Sequence, residues 1–413
     1  MEKEHIMTFE EAKAKMSAIG QEHVLRYYNE LSDEKKEALI RQIDETDFSV
    51  LDRIGSVSCD KRGVFSPLGA MKISEIKARE SEFHDAGVKT IRAGKTAALL
   101  LAGGMGTRLG SDEPKGMYDI GLTKPLYIFE RVIGNLLDVV HETDTWVRLF
   151  IMTSEKNHEA TVRFLKEKDF FGYKEERVVF FKQDMAPACD FNGKLLMEAK
   201  DRISSSPNGN GGWYSSMCRA NLDKLLNEEG VEWINVFAVD NVLQRILDPC
   251  FVGATVLKDV SVGAKAVKKA APDEKVGVLC LEDNRPSIVE YYELSDEMMN
   301  EKDESGEPAY NYGVILNYLF RVKDLPAVAN DRMALHIVKK QIPYIDENGL
   351  AVKPKEPNGY KFEQLVVDMI HQLPSCLPYE VEREKEFAPI KNLTGIDSVE
   401  SARELLKKNG IEL

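Results

Sequence analysis

The run AALLLAGGMGTRLGSDEPK at residues 97–115 constrains the fold more than any other part of the chain. Five apolar residues lead directly into a loop with four glycines, an arginine and a closing Pro-Lys pair. Such a run reads as a short buried strand that turns at its carboxyl end. Gly103, Gly104, Gly106 and Gly110 lack Cβ atoms, so the backbone there can take positive φ and bring its N–H groups close to phosphate oxygens. Arg108 and Lys115 add fixed positive charge that a purely structural turn does not need. The glycine spacing, G-x-G-x-x-x-G, misses the dinucleotide fingerprint. No Gly-Lys-Ser/Thr follows, which argues against a P-loop enzyme. Nucleotide binding by another route is the expectation.

From residue 96 onward short apolar segments alternate with helical ones. Strands are predicted at Ala97–Leu101, Val147–Met152, Val178–Phe181, Ile234–Val239 and Val276–Leu281, and helices at Leu126–Val140 and His158–Lys168. Alternation of this kind predicts an α/β domain with a mainly parallel sheet, whose ligands sit beyond the carboxyl ends of the strands. Residues 8–48 differ. Phe9, Met16, Ile19, Val24, Leu25, Tyr28, Leu31, Leu39, Ile40 and Ile43 recur at helical spacing, with Thr8 and Glu11 as a capping box. They predict two amphipathic helices that form a layer docked on the larger domain. The divisions are therefore an accessory region at 1–92, a catalytic domain at 93–395 and a short C-terminal helix or tail at 396–413. Segment 295–310 is polar and reads as a solvated loop.

Composition excludes several classes. A net charge of −14 disfavours nucleic acid or an anionic membrane as partner, although a local basic pocket can still hold phosphates. The N-terminus is acidic, without an apolar signal region, and no stretch approaches the ~20 apolar residues of a membrane span. A cytoplasmic protein is expected. Cysteines at 59, 189, 218, 250, 280 and 376 form no C-x-x-C pair, so neither a disulfide scaffold nor a zinc site is indicated.

Asp240 follows the apolar run Ile234–Val239, which would deliver its carboxylate to the exposed end of a buried strand. Two readings are open: the carboxylate holds Mg²⁺ together with substrate phosphates, or it caps a following helix.

These features resemble the signature of the UDP-sugar pyrophosphorylases, L-x-x-G-x-G-T-x-x-G-x-x-x-P-K, matched by Leu101, Gly104, Gly106, Thr107, Gly110, Pro114 and Lys115. Gly116–Leu122 resembles the N-acetylglucosamine branch. Further matches follow in order at 207–212, 239–241, 276–278, 289–291 and 387–392, so the resemblance covers about residues 95–395. It implies a Rossmann-like nucleotidyltransferase fold of the glycosyltransferase A-like type. It also implies formation of a UDP-sugar and pyrophosphate from UTP and a sugar 1-phosphate, with Mg²⁺ or Mn²⁺ as cofactor. Arg108 would stabilise the leaving phosphates, Lys115 grip the triphosphate near the α-phosphate, and Lys391 contact phosphate from the other side. Asp240 would hold the metal. Leu101, Ala102, Gly103, Gly104, Gln183 and Gly209 would recognise the nucleotide, and Asn210, Glu290, Tyr291 and Asn311 the sugar. Gln183 offers the donor and acceptor that an imide edge requires; it also reads as an ordinary loop residue, Glu290 as an outward strand charge, and Asn208–Gly212 as a plain turn.

One departure concerns the sugar. The N-acetylglucosamine branch typically reads F-N-A-G-N, whereas Tyr310-Asn311-Tyr312-Gly313-Val314 places a valine last. Valine cannot hydrogen-bond a hydroxyl, so that contact is lost or replaced. The family's β-rich C-terminal domain is expected to be reduced here to the helix Ser398–Lys408. Three rivals to N-acetylglucosamine 1-phosphate uridylyltransfer stand beside it: glucose or galactose 1-phosphate as substrate, a non-catalytic UDP-sugar-binding regulator, and an interaction module acting through the N-terminal helices. Three intact charges, Arg108, Lys115 and Asp240, argue against the regulator.

Overall fold

The computed structural model describes residues 7–54, 62–328 and 333–413. Its contacts group into two compact units, each discontinuous in sequence: Met1–Lys61 with Asp184–Gly212 and Ala334–Leu365, and Arg62–Gln183 with Trp213–Met333 and Val366–Leu413.

In the first unit the two amphipathic helices form as predicted, at Phe9–Ala18 and Asp33–Glu45, the former begun by the Thr8/Glu11 capping box. Their apolar faces, with Met16, Leu39, Ile40 and Ile43, close over Leu195, Met197 and Ile203. Gln21 adds both side-chain bonds, accepting from Leu195 N at 2.9 Å and donating to Gly193 O at 3.0 Å. The helices thus cover a chain segment about 150 residues downstream rather than standing alone. That segment contributes Cys189–Asp190 to a three-stranded sheet with Gly359–Glu363 and His336–Lys340.

The second unit is built on a ten-stranded mixed sheet: β1 (Phe65–Pro67), β2 (Thr96–Leu101), β3 (Arg148–Thr153), β4 (Val178–Lys182), β5 (Trp233–Ala238), β6 (Val262–Lys268), β7 (Val278–Glu282), β8 (Arg285–Val289), β9 (Tyr312–Arg321) and β10 (Cys376–Glu380). The spatial order is β1-β7-β9-β5-β2-β3-β4, with β8 beside β7, and β6 between β9 and β10. Strands β5, β2, β3 and β4 are mutually parallel, as are β6 and β10, whereas β9 runs antiparallel to both β5 and β6. Every residue of β2 and β5 is buried, which is why their sequences, apart from Thr96 and Asn235, are apolar rather than alternating. Helices α1 (Glu80–Arg92), α2 (Ile128–Thr143), α3 (His158–Glu167), α4 (Pro249–Leu257) and α5 (Val399–Lys408) contribute Phe83, Phe129, Leu165, Phe251 and Leu406 to one core. Trp213, Met217, Met369 and Ile370 help to form a second core with Leu99, Phe150 and Ile234.

The predicted strands and helices are all present, with ends displaced by at most three residues, as befits boundaries set by hydrogen bonding rather than hydrophobicity. Segment 295–310 is not wholly a loop. Asp296–Asn300 is helical, capped by the Ser295 hydroxyl, and Tyr310 is buried beside Val278 and Cys280. The five cysteines among the described residues are free thiols; Cys59 lies outside the described residues. No helix among those residues is long and apolar enough to cross a membrane.

Candidate active site

The parallel strands end in register. Leu101 lies opposite both Ala238 and Met152, and Thr153 opposite Lys182. Ala102, Val239 and Gln183 therefore emerge along one carboxyl edge, each tied back by its backbone: Ala102 N to Met152 O (2.8 Å), Val239 N to Leu101 O (3.2 Å) and Gln183 N to Thr153 O (2.8 Å).

The glycine loop is closed on itself. Gly106 N donates to Glu113 O at 2.8 Å, Met105 bridges Pro114, and Lys115 N donates to Gly104 O at 3.1 Å. Lys115 is thereby brought back beside the strand end from which the loop departed. Gly110 makes the turn at φ 71°, a conformation costly for other residues. Leu109 is buried and anchors the loop, leaving its neighbour Arg108 exposed, without a hydrogen bond or ion pair among the described residues.

Lys115 Nζ stands 3.9 Å from Asp240 Oδ2, with their side chains 17% and 27% exposed. Burial depresses the Lys115 pKa; the Asp240 charge opposes that shift, while the positive charges of Arg108 and Lys391 add to it. The other three predicted charged residues are thus within electrostatic reach of the Lys115 ammonium. Asp240 caps no helix. It sits in a turn, and its carbonyl accepts Ile390 N at 2.8 Å. Around it Asn241 bridges Pro389, donates to Glu386 O at 2.8 Å and accepts from Ala388 N at 2.9 Å. This zipper carries Lys391 to the site, where its ammonium is held by Asp397 Oδ2 at 2.9 Å.

Gln183 is buried, and its side-chain oxygen lies only 2.4 Å from where a Cβ on Gly103 would stand. Only glycine at 103 leaves the amide that position. The sugar candidates lie on the antiparallel wing. Because Asn317 of β9 pairs with Phe237 of β5, residues 311–316 extend past the same carboxyl edge. Asn311 is buried and accepts Lys269 N through both its carbonyl oxygens, at 2.9 and 3.3 Å. Val314 N donates to Gly277 O, and Gly277 also abuts the Glu290 carboxylate. Tyr291 is 41% exposed and packs edge-on against Tyr292. Gly209 and Asn210 belong to the other unit, in a turn held to Gln364, where Gly209 has φ 90°.

Three residues that sequence reasoning missed shape this edge. Asn157, wholly buried, donates to Ala102 O at 2.8 Å and accepts Ser154 N at 2.8 Å, fixing the base of the glycine loop. Gln244, also wholly buried, donates to Ala238 O and Asn241 O, at 2.7 and 2.9 Å, and so clamps the turn that bears Asp240. Asp397 is the third. Isolated amides in loops carry no spacing signal that marks them out in advance.

As to divalent metals, the described residues contain no cluster of three or more His, Cys, Asp or Glu suited to one. Asp240 offers a single part-exposed carboxylate at a strand end, a donor set that matches an ion completed by substrate phosphates and water.

Comparison with known proteins places these features in context. The family described as UTP--glucose-1-phosphate uridylyltransferase matches residues 61–412. The chain is 36% identical to the UDP-N-acetylhexosamine pyrophosphorylase-like protein 1 of Mus musculus, over 92% of this chain and 80% of that protein. It is 34% identical to the UDP-N-acetylglucosamine pyrophosphorylase of Saccharomyces cerevisiae, over 94% and 84% of the two. Among solved structures, the uridine diphosphate N-acetylglucosamine pyrophosphorylase of Trypanosoma brucei, in complex with an inhibitor, superposes with a TM-score of 0.84 at 25% identity. The match covers 98% of this chain and 85% of that one.

Proposed function

We propose that this chain, which belongs to the UTP--glucose-1-phosphate uridylyltransferase family and is therefore a uridylyltransferase, takes N-acetylglucosamine 1-phosphate as its sugar substrate. The names of its relatives support that choice of sugar. The observation that carries the catalytic assignment is the gathering of Lys115, Asp240, Arg108 and Lys391 at one strand edge, around an ammonium depressed by burial.

The reaction forms a bond between a phosphate oxygen of the sugar 1-phosphate and the α-phosphorus of UTP, and breaks the bond from that phosphorus to the β-phosphate, releasing pyrophosphate. It asks the protein for alignment and charge neutralisation rather than a covalent intermediate. Arg108, exposed and without a partner among the described residues, is available to the leaving β,γ-phosphates. Lys115, held beside Gly104, meets the α-phosphate. Lys391 reaches phosphate from the Asp240 side by exchanging its Asp397 partner for substrate. Asp240 would hold Mg²⁺ or Mn²⁺, and the bound ion would screen negative charge on the phosphates. Backbone groups of Leu101–Gly104, together with Gln183, read uracil. Glu290, Tyr291 and Asn311 read the sugar, with Val314 presenting an apolar surface where a second amide is typical of the branch.

Pyrophosphate release from UTP and Mg²⁺ across N-acetylglucosamine, N-acetylgalactosamine, glucose and galactose 1-phosphates tests the reading. Highest kcat/KM with N-acetylglucosamine 1-phosphate is expected. Preference for glucose or galactose 1-phosphate refutes the sugar assignment and keeps the reaction, and silence across the panel refutes the reaction. A second expectation concerns Gly103→Ala. The new methyl displaces the flexible end of Gln183, so KM for UTP should rise about tenfold, the worth of one good hydrogen bond, with kcat little changed. Steady-state kinetics and a melting curve check this; an unchanged KM removes Gln183 from the uracil site.

A further inference from the structure

Lys265 sits in the middle of β6 between Ala264 and Ala266 and is wholly buried. Its ammonium donates to Glu386 Oε2 at 2.5 Å and to Arg245 O at 3.0 Å, with Asp248 Oδ2 at 3.6 Å. Glu386 is also buried, and the same Oε2 accepts Arg245 N at 3.2 Å. Two side chains thus grip both backbone groups of Arg245, in the turn that begins at Asp240. Glu386 in turn begins the segment that ends at Lys391. Above this point the two segments are joined by Asn241 to Glu386 O and Ala388 N, by Val242 N to Ala388 O, and by Ile390 N to Asp240 O.

A buried ion pair is a poor device for stability, since an apolar pair of similar volume packs as well without desolvating two charges. What it supplies here is directional: one fixed point shared by the two segments at the base of the hydrogen-bonded zipper that joins them. We propose that Lys265 and Glu386 are positioning residues for uridylyl transfer, their pair setting the separation of Asp240 and Lys391 before substrate arrives. This rests on the catalytic reading above. Neither residue touches the reacting atoms; each acts through the backbone it holds.

The test compares wild type, Lys265→Met and the double variant Lys265→Met/Glu386→Leu by melting temperature, by steady-state kinetics at saturating UTP and sugar 1-phosphate, and by amide hydrogen exchange. Lys265→Met strands a buried carboxylate and should lower the melting temperature; the double variant should recover it. In both, kcat should fall between about tenfold and a hundredfold, the cost of misplacing an aligned group, with KM for UTP changed far less. Exchange at Ala388 and Ile390 should rise about tenfold or more in both, while the amides of β2 and β3 keep their protection. If Lys265→Met fails to fold, the double variant carries the comparison. Recovery of wild-type kcat in the double variant would reduce the pair to a structural role and overturn the proposal, as would unchanged exchange at 388 and 390. A wild type that releases no pyrophosphate defeats the uridylyltransfer reading itself, and the exchange data then decide separately whether the pair holds the two segments.

Discussion

Asp240→Asn should abolish most turnover, lowering kcat on the order of a thousandfold, because it removes the carboxylate that would hold a divalent ion at the strand edge. Folding should be nearly unaffected. The structural bond at this position is accepted by the Asp240 carbonyl from Ile390 N, and among the described residues the side chain adds a long contact of 3.9 Å to Lys115. A second consequence follows from electrostatics. Asp240 supports the protonated state of Lys115 against burial, so its neutralisation lets the Lys115 pKa fall further below that of a free lysine. The protonated amine is the phosphate-binding form, and the alkaline limb of kcat/KM should therefore move to lower pH. Steady-state kinetics over pH, with Mn²⁺ binding followed by electron paramagnetic resonance, check both parts. Wild-type turnover in Asp240→Asn would remove the metal role, and an alkaline limb that stays in place would detach Lys115 from the site.

Arg108→Ala should lower kcat roughly a hundredfold, corresponding to ~3 kcal/mol of lost transition-state stabilisation. The melting temperature should stay close to wild type, since Arg108 is exposed and makes no hydrogen bond or ion pair among the described residues. Here the pH profile moves the other way. The Arg108 charge adds to the depression of Lys115, so its removal lets the Lys115 pKa rise and carries the alkaline limb to higher pH. Opposite displacements in the two variants are difficult to produce by general loosening of the loop. A folded Arg108→Ala enzyme with unaltered kcat would exclude the guanidinium from the leaving-phosphate site.

Legibility in the sequence varied with the range of the interaction concerned. The strand-to-glycine-loop unit at 97–115 was readable because its elements are neighbours: an apolar run, residues free to turn, and two cations a few positions on. Asp240 was readable for a similar reason, as the first carboxylate after a buried strand, but the choice between metal ligand and helix cap was not. Among the described residues Asp240 caps no helix; it sits in a turn beside Asn241, which bridges Pro389. The two N-terminal helices were readable from their periodicity, whereas the surface they cover, at Leu195, Met197 and Ile203, was not. Amphipathic spacing reveals that a face is buried and is silent about its partner. Lys265 went unremarked in the sequence, because its burial depends on β9 and β10 flanking β6, and on Glu386 arriving from another part of the chain.

By itself, then, the sequence determined the α/β alternation, the buried strands, the helix start at Thr8, and the pairing of a glycine loop with two nearby cations, because each depends on side chains adjacent or periodic along the chain. Only the tertiary structure decided that Lys115 returns beside Gly104, that Lys391 is brought alongside Asp240 and paired with Asp397, and that Gln183 faces Gly103. Those placements depend on hydrogen bonds between backbone groups, such as Ile390 N to Asp240 O and Lys115 N to Gly104 O. Apart from proline's missing donor, every residue offers the same donor and the same acceptor, so the choice among them leaves no mark in the order of side chains.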